Sequence, residues 1–211
     1  KNFLEGERYI TVDFYKDIWT TADWMTISKN LSWNYVLMDD LDFYSLAKFS
    51  ISNFKGKLLG NDHTISNITL NGMYSLFVNL YGQIFDLNLK NVSKTDMYGA
   101  YQASLAHYTY TGALVDDVHI DGVYFEIPDN YVNTGNAYVG GLIGYLNNGA
   151  AVYNSSVKNI TVRSANNTIY DLRVGGMFGM SNTNTIIFNT YVENKYDYFM
   201  DDFIPDIIQN N

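Results

Sequence analysis

The string Val139-Gly140-Gly141-Leu142-Ile143-Gly144-Tyr145 returns almost unchanged as Val174-Gly175-Gly176-Met177-Phe178-Gly179-Met180, and no other feature of the chain constrains its fold so strongly. Looser copies stand at Tyr74-Ser75-Leu76-Phe77 and Ala103-Ser104-Leu105-Ala106. A short repeat cannot bury its own apolar face, so copies stack like residue on like residue and the chain becomes a solenoid with a continuous core.

Each copy leads through a turn, marked by Gly82, Gly112, Gly149 and Asn184, into a second strand. Val115, Val152 and Ile187 then form one column, and Leu89, Ile120, Val157 and Val192 another, with Leu70 as its expected earlier member. Beyond the second column stand Asn91, Gly122, Asn159 and Asn194, preceded by Gly72; Asn and Gly adopt the left-handed backbone of a sharp corner most readily. A corner recurring at one place in every turn predicts an all-β, right-handed parallel β-helix. The separations along the column are 19, 31, 37 and 35 residues from Leu70 to Val192. They predict a minimal turn of about 19 residues, with the excess emerging as loops at 93–102, 124–137 and 163–172. Within the motif neither alternating face is polar, and its small residues predict close neighbours on both sides.

Composition agrees: 19 Tyr and 12 Phe with only 2 Pro favour strands. A formal charge of −9 argues against nucleic acid and against anionic lipid surfaces as partners. With no Cys there is no disulfide framework and no thiolate metal site. No stretch reaches the roughly 20 apolar residues of a membrane helix, so no membrane insertion is expected.

Three segments follow. Residues 1–20 are an N-terminal strand or linker, with alternation over Tyr9 to Phe14. Residues 21–194 are the β-helix, opened by a short capping helix over 21–30: Thr20 or Thr21 is the N-cap, Asp23 complements the dipole, and Trp24, Ile27 and Leu31 recur at helical spacing. Residues 195–211 break the columns, concentrate acids and form a C-terminal cap or linker.

Little in the chain points to catalysis. The acids Asp39, Asp40 and Asp42, Asp116, Asp117 and Asp121, and Asp201 and Asp202 are the raw material for acid–base chemistry of the polysaccharide lyase or glycoside hydrolase kind, or for Ca²⁺ ligation. Adjacent Asp residues on a strand point to opposite faces, however, which fits solvated outward positions better. His63 reads as a turn residue and His119 as an outward residue beside Asp117 and Asp121, without a second imidazole at metal-ligand spacing. No catalytic residue, metal site or cofactor is therefore expected. The insertions carry the strongest recognition signal: Tyr98, Tyr101, Tyr124, Phe125, Asp129, Tyr131, Asn167 and Tyr170 interleave rings with carboxylates and amides. Rings supply contact area at low entropic cost while polar neighbours fix orientation, which suits a protein or glycan partner.

The string Val139 to Tyr145 with Asn147-Asn148-Gly149, and its second copy at Gly175 to Gly179, resembles the GLUG motif of bacterial surface proteins. The run Phe54 to Ile65, with Leu76-Phe77, Gly82 to Leu87 and the lead-in Trp24 to Asp42, is similar to the β-helical region upstream of the catalytic domain in zinc metallopeptidases of the M26 (IgA1 protease-like) family. The resemblance covers about residues 21–194. It implies an accessory module of an extracellular, secreted or cell-wall-anchored bacterial protein, acting as spacer or as recognition surface for a host protein, with immunoglobulin A the partner it suggests, or for a glycan. The family's HExxH zinc motif is absent: His63, His107 and His119 are each followed by neither Glu nor a second His at that spacing. The module is expected to act as a monomer.

Overall fold

The computed structural model describes residues 13–46, 48–128, 137–164, 172–193 and 197–200. Asp129, Tyr131, Asn167 and Tyr170 of the expected recognition set lie outside them, as do Asp201 and Asp202 and the stretch Tyr9 to Val12.

Among the described residues every strand pairing is parallel, and the strands stack as the coils of a parallel β-helix. The longest sheet holds two rows. The first stacks Tyr15–Ile18, Asn34–Leu37, Lys57–Leu59, the opening halves of Gln83–Lys94 and Leu114–Ile127, Ala151–Tyr153 and Ile186–Phe188. The second stacks Leu41–Asp42, Thr64–Thr69, the closing halves of the same two long strands, Ser156–Ser164, and then Tyr191–Glu193 and Asp197–Met200. Two smaller sheets complete the later coils: Tyr101–Gln102, Ala137–Gly140 and Leu172–Gly175 in one, and Phe77–Leu80, Ala106–Thr109, Ile143–Leu146 and Phe178–Ser181 in the other.

The predicted columns stand. Val115 lies opposite Val152 and Val152 opposite Ile187, while Leu89, Ile120, Val157 and Val192 share the second column. Leu58 and Ile84 extend the first column toward the N-terminus. Ile187, 43% exposed, and the half-buried Val192 end the columns, whereas the earlier members are fully buried; full burial of each such Val, Leu or Ile contributes about 1.5–3 kcal/mol, so the stacked interior carries the fold.

Four expectations are corrected. Leu89 pairs with Ile65, not Leu70; the Leu70 N–H bonds to Ser93 O at 2.9 Å, which places Leu70 past the corner and beside Lys94. The corner residue of that coil is Asn67 rather than Gly72, so the separation from Asn67 to Asn91 is 24 residues; a turn of 19 residues does occur at the N-terminal end, where Ile18 lies opposite Leu37. The insertions do not leave the stack as loops at once. Val123, Phe125 and Ile127 stay buried while Tyr124 and Glu126 alternate outward, so apolar columns continue past the corner. Asp197–Met200 likewise joins the stack, Val162 lying opposite Tyr198, instead of breaking it.

The glycines of the repeated motif mark places where backbones touch. A Cβ on Gly140 would lie 2.3 Å from Ile143 O and 2.5 Å from Gly179 N, and one on Gly144 would lie 2.8 Å from His107 O. Both faces of the strand are covered, as its composition predicts.

At the N-terminal end, Thr20 caps the helix Thr21–Met25 through a reciprocal capping box with Asp23. The helix is shorter than the sequence predicts, because it tightens into a 3-10 turn over Thr26–Lys29. Its apolar side is as expected: Trp24 is fully buried, edge-on to Phe43 and Phe77, and Ile27 is buried too.

Candidate functional site

The corner after the second strand row builds a groove on the outside of the coil stack. Asn67, Asn91, Gly122 and Asn159 all turn the chain with positive φ, at 56°, 55°, 82° and 52°. Asn tolerates this backbone because its short side chain bonds locally, and Gly because it has no Cβ. The next residue in each coil, Ile68, Val92, Val123 or Ile160, points into the core, and the one after, Thr69, Ser93, Tyr124 or Thr161, points outward. These outward residues, the corner residues and Tyr44 line a groove of about 490 Å³. Tyr44 is 86% exposed at one end, and no residue of the lining carries a formal charge.

The corner amides form a ladder along the groove. Asn67 Nδ2 donates to Asp42 Oδ1 at 3.0 Å, and Asn91 Nδ2 donates to Asn67 Oδ1 at 3.1 Å. That amide and the Tyr44 N–H hold the Asp42 carboxyl below its ordinary range. The next rung is Gly122, which has no side chain. A Cβ there would lie 3.2 Å from Asn91 Oδ1, so that oxygen faces the vacant rung, and among the described residues no donor is paired with it. Asn159 starts again one coil on, its Nδ2 donating to Asp121 Oδ1 at 2.6 Å. Tyr124 stands two residues beyond the vacant rung, its hydroxyl donating to Glu126 Oε2 at 3.3 Å.

The structure divides the remaining recognition residues among different surroundings. Tyr98 is 47% exposed on the connection between Gln83–Lys94 and Tyr101–Gln102. Tyr101 belongs to a half-buried tyrosine tier on the smaller sheets: its ring stacks on Tyr138 at 5.3 Å and 15°, on Tyr145 at 5.2 Å and 27°, and meets Tyr108 edge-on. Burial pushes the Tyr101 and Tyr108 hydroxyls above their ordinary pKa. Phe125 is not a binding residue. It is fully buried with the Lys94 ammonium 5.3 Å above its ring, because alternation from the exposed side of Tyr124 turns it into the core. Tyr124 alone of the described set lies in the groove.

What pattern reasoning missed is the groove's polar lining. The corner residues Asn91, Gly122 and Asn159 are visible in the sequence as bends. That they line a groove with Thr69, Ser93 and Thr161 follows from the outward phase two residues later.

The acids are engaged locally. Asp40 accepts from the Thr64 N–H and lies 3.3 Å from His63 Nδ1; Asp117 pairs with His119 Nε2 at 2.8 Å; Asp116 accepts from Asn154 Nδ2 at 2.8 Å. Asp86 is raised by burial and then by Asp117, Asp62 and Asp116 nearby. Among the described residues no group of three or more His, Asp or Glu side chains is placed to hold a metal ion. No helix among them is long and apolar enough to cross a membrane.

No family model matches this chain, and no curated protein matches it. Its fold is similar to a crystal structure described as that of a "putative immunoglobulin A1 protease" from Bacteroides ovatus, with a TM-score of 0.54 and 13% identity over 90% of this chain and 78% of that one. The chain thus shares the parallel β-helical fold of an IgA1 protease-like protein.

Proposed function

We propose that the chain is a non-catalytic, β-helical accessory module of a secreted or cell-wall-associated bacterial protein, and that its groove at the asparagine corners recognises a glycan. The GLUG-like strings and the shared fold support the accessory role. The groove carries the recognition reading: a row of amides and hydroxyls without charge, with Tyr44 and Tyr124 in its lining, has the makeup of a surface that stacks on rings and bonds hydroxyl groups. Immunoglobulin A remains the protein partner that the similar structure's name suggests, and a glycan on a host protein would join the two readings. The alternative of acid catalysis has weaker support, since Asp40, Asp116, Asp117 and Asp121 each hold a neighbouring side chain and none lines the groove.

The test is glycan-array binding of the purified chain, followed by titration calorimetry on each hit with Tyr124→Ala and Tyr44→Ala. A loss of affinity of tenfold or more in both, with an unchanged melting temperature, is expected. Hits untouched by both substitutions, or no hits at all, would overturn the assignment of the groove.

A further inference from the structure

Given that the groove is the recognition surface, on which this inference rests, its periodicity and its one interruption define the ligand more narrowly. The lining repeats once per coil, and coils are spaced by the strand separation of about 4.8 Å. From Tyr44 to Thr161 the groove crosses roughly four such steps, on the order of 19 Å, which is room for about three or four sugar rings end to end. A ligand matching this repeat lies along the stacking axis and offers like groups at each coil. The lining offers it amides, hydroxyls and phenol rings but no cation, and a net charge of −9 repels polyanions.

The interruption points to one contact. Asn91 Nδ2 donates to Asn67 Oδ1 across coils, but the series stops at Gly122, and among the described residues no donor is paired with Asn91 Oδ1. An acceptor in a groove that a tyrosine also lines is where a hydroxyl donor gains most, because it completes a bond that none of the described residues makes. We infer that the groove binds an uncharged, extended oligosaccharide of about three or four sugars parallel to the helix axis, one hydroxyl of which occupies the vacant rung at Gly122 and donates to Asn91 Oδ1 while its ring packs on Tyr124.

The experiment uses neutral β-linked gluco-, xylo- and manno-oligosaccharides of two to six units, with oligogalacturonides of the same lengths as the acidic counterpart, in calorimetry at two salt concentrations. Affinity for one neutral series is expected to climb up to four units, then level off, and to be insensitive to salt. Gly122→Asn supplies the missing amide on a residue type that the neighbouring corners already accept, so binding is expected to fall at least tenfold with no drop in melting temperature. Asn91→Gly keeps the corner but removes the acceptor, and the same loss is expected, which covers the case in which Gly122→Asn folds poorly. Stronger, salt-dependent binding of the oligogalacturonides overturns the neutral-ligand inference. Neutral binding that Tyr124→Ala weakens, but Gly122→Asn and Asn91→Gly leave intact, overturns the vacant-rung contact while the groove assignment stands. If no saccharide binds, both fall.

Discussion

Lys94 Nζ donates to Gln102 Oε1 at 2.8 Å in a fully buried position, where the neighbouring coils place Leu70 and Phe125. Burial depresses its pKa from 10.5 to about 7, with Asp96 opposing only in part. The amine lies between Leu70 and Phe125 of the neighbouring coils, and its one side-chain bond among the described residues replaces only a fraction of the hydration it loses.

Between about pH 7 and 10.5 the unfolded chain therefore holds a proton on Lys94 that the folded chain has released. Stability from this group rises with pH across that window, and below it the penalty is present in full. Lys94→Met is expected to raise stability at pH 7 by on the order of 2 kcal/mol, after allowing for the Gln102 oxygen it leaves unpaired. Thermal denaturation at pH 7 to 9 checks this: the wild-type midpoint climbs relative to that of the variant. Parallel profiles would show that the amine is hydrated in the folded state.

His107 gives the opposite end of the pH scale. Its ring is buried with Nδ1 unpaired, and burial, then the Lys94 charge, lowers its pKa from 6.5 to about 4. The unfolded chain alone is protonated between these values, so stability falls as pH drops from 6.5 toward 4. His107→Gln is expected to flatten that part of the profile. In an NMR titration the His107 ring signals are expected to stay at their neutral positions down to about pH 5, whereas a midpoint near 6.5 would mean that the ring is solvated.

Two glycines separate close packing from backbone conformation. A Cβ on Gly141 would lie 2.3 Å from Gly176 O and 2.7 Å from Val157 Cγ1, both held by the stack, so Gly141→Ala is expected to cost about 3 kcal/mol or more. Gly112 has φ +88° and nothing within 4 Å of such a Cβ. Gly112→Ala strains only the backbone and is expected to cost about 1 kcal/mol. Urea denaturation of the two variants gives the comparison.

Adjacent residues on one strand supply the last contrast. Phe125→Ala removes a fully buried ring and is expected to cost about 3–5 kcal/mol. Tyr124→Ala removes a groove-facing ring and is expected to change stability by less than about 1 kcal/mol while weakening binding. Equal destabilisation by both would place Tyr124 in the core as well.

Much of the architecture is legible along the chain. The columns of Val115, Val152 and Ile187, the corners at Asn91, Gly122 and Asn159, and the two-sided covering of the glycine motif all follow from local pattern. Each depends on alternation or on the left-handed preference of Asn and Gly, which are properties of a few neighbouring residues. The register of the early coils is different. Leu70 and Ile65 are equally apolar, and only the corner at Asn67, with its amide bonded to Asp42, sets which of them stacks on Leu89. The candidate site is half legible for the same reason: Tyr124 and Phe125 both read as rings of a recognition loop, but Phe125 is core, and the groove combines Tyr124 with Tyr44, Asn67, Asn91, Gly122 and Asn159 from separate coils. Sequence alone determined that this chain coils and that it bends at Asn91, Gly122 and Asn159. Tertiary structure decided what each bend meets, because contacts between neighbouring coils join residues 19 to 38 positions apart, and no local preference sets that register.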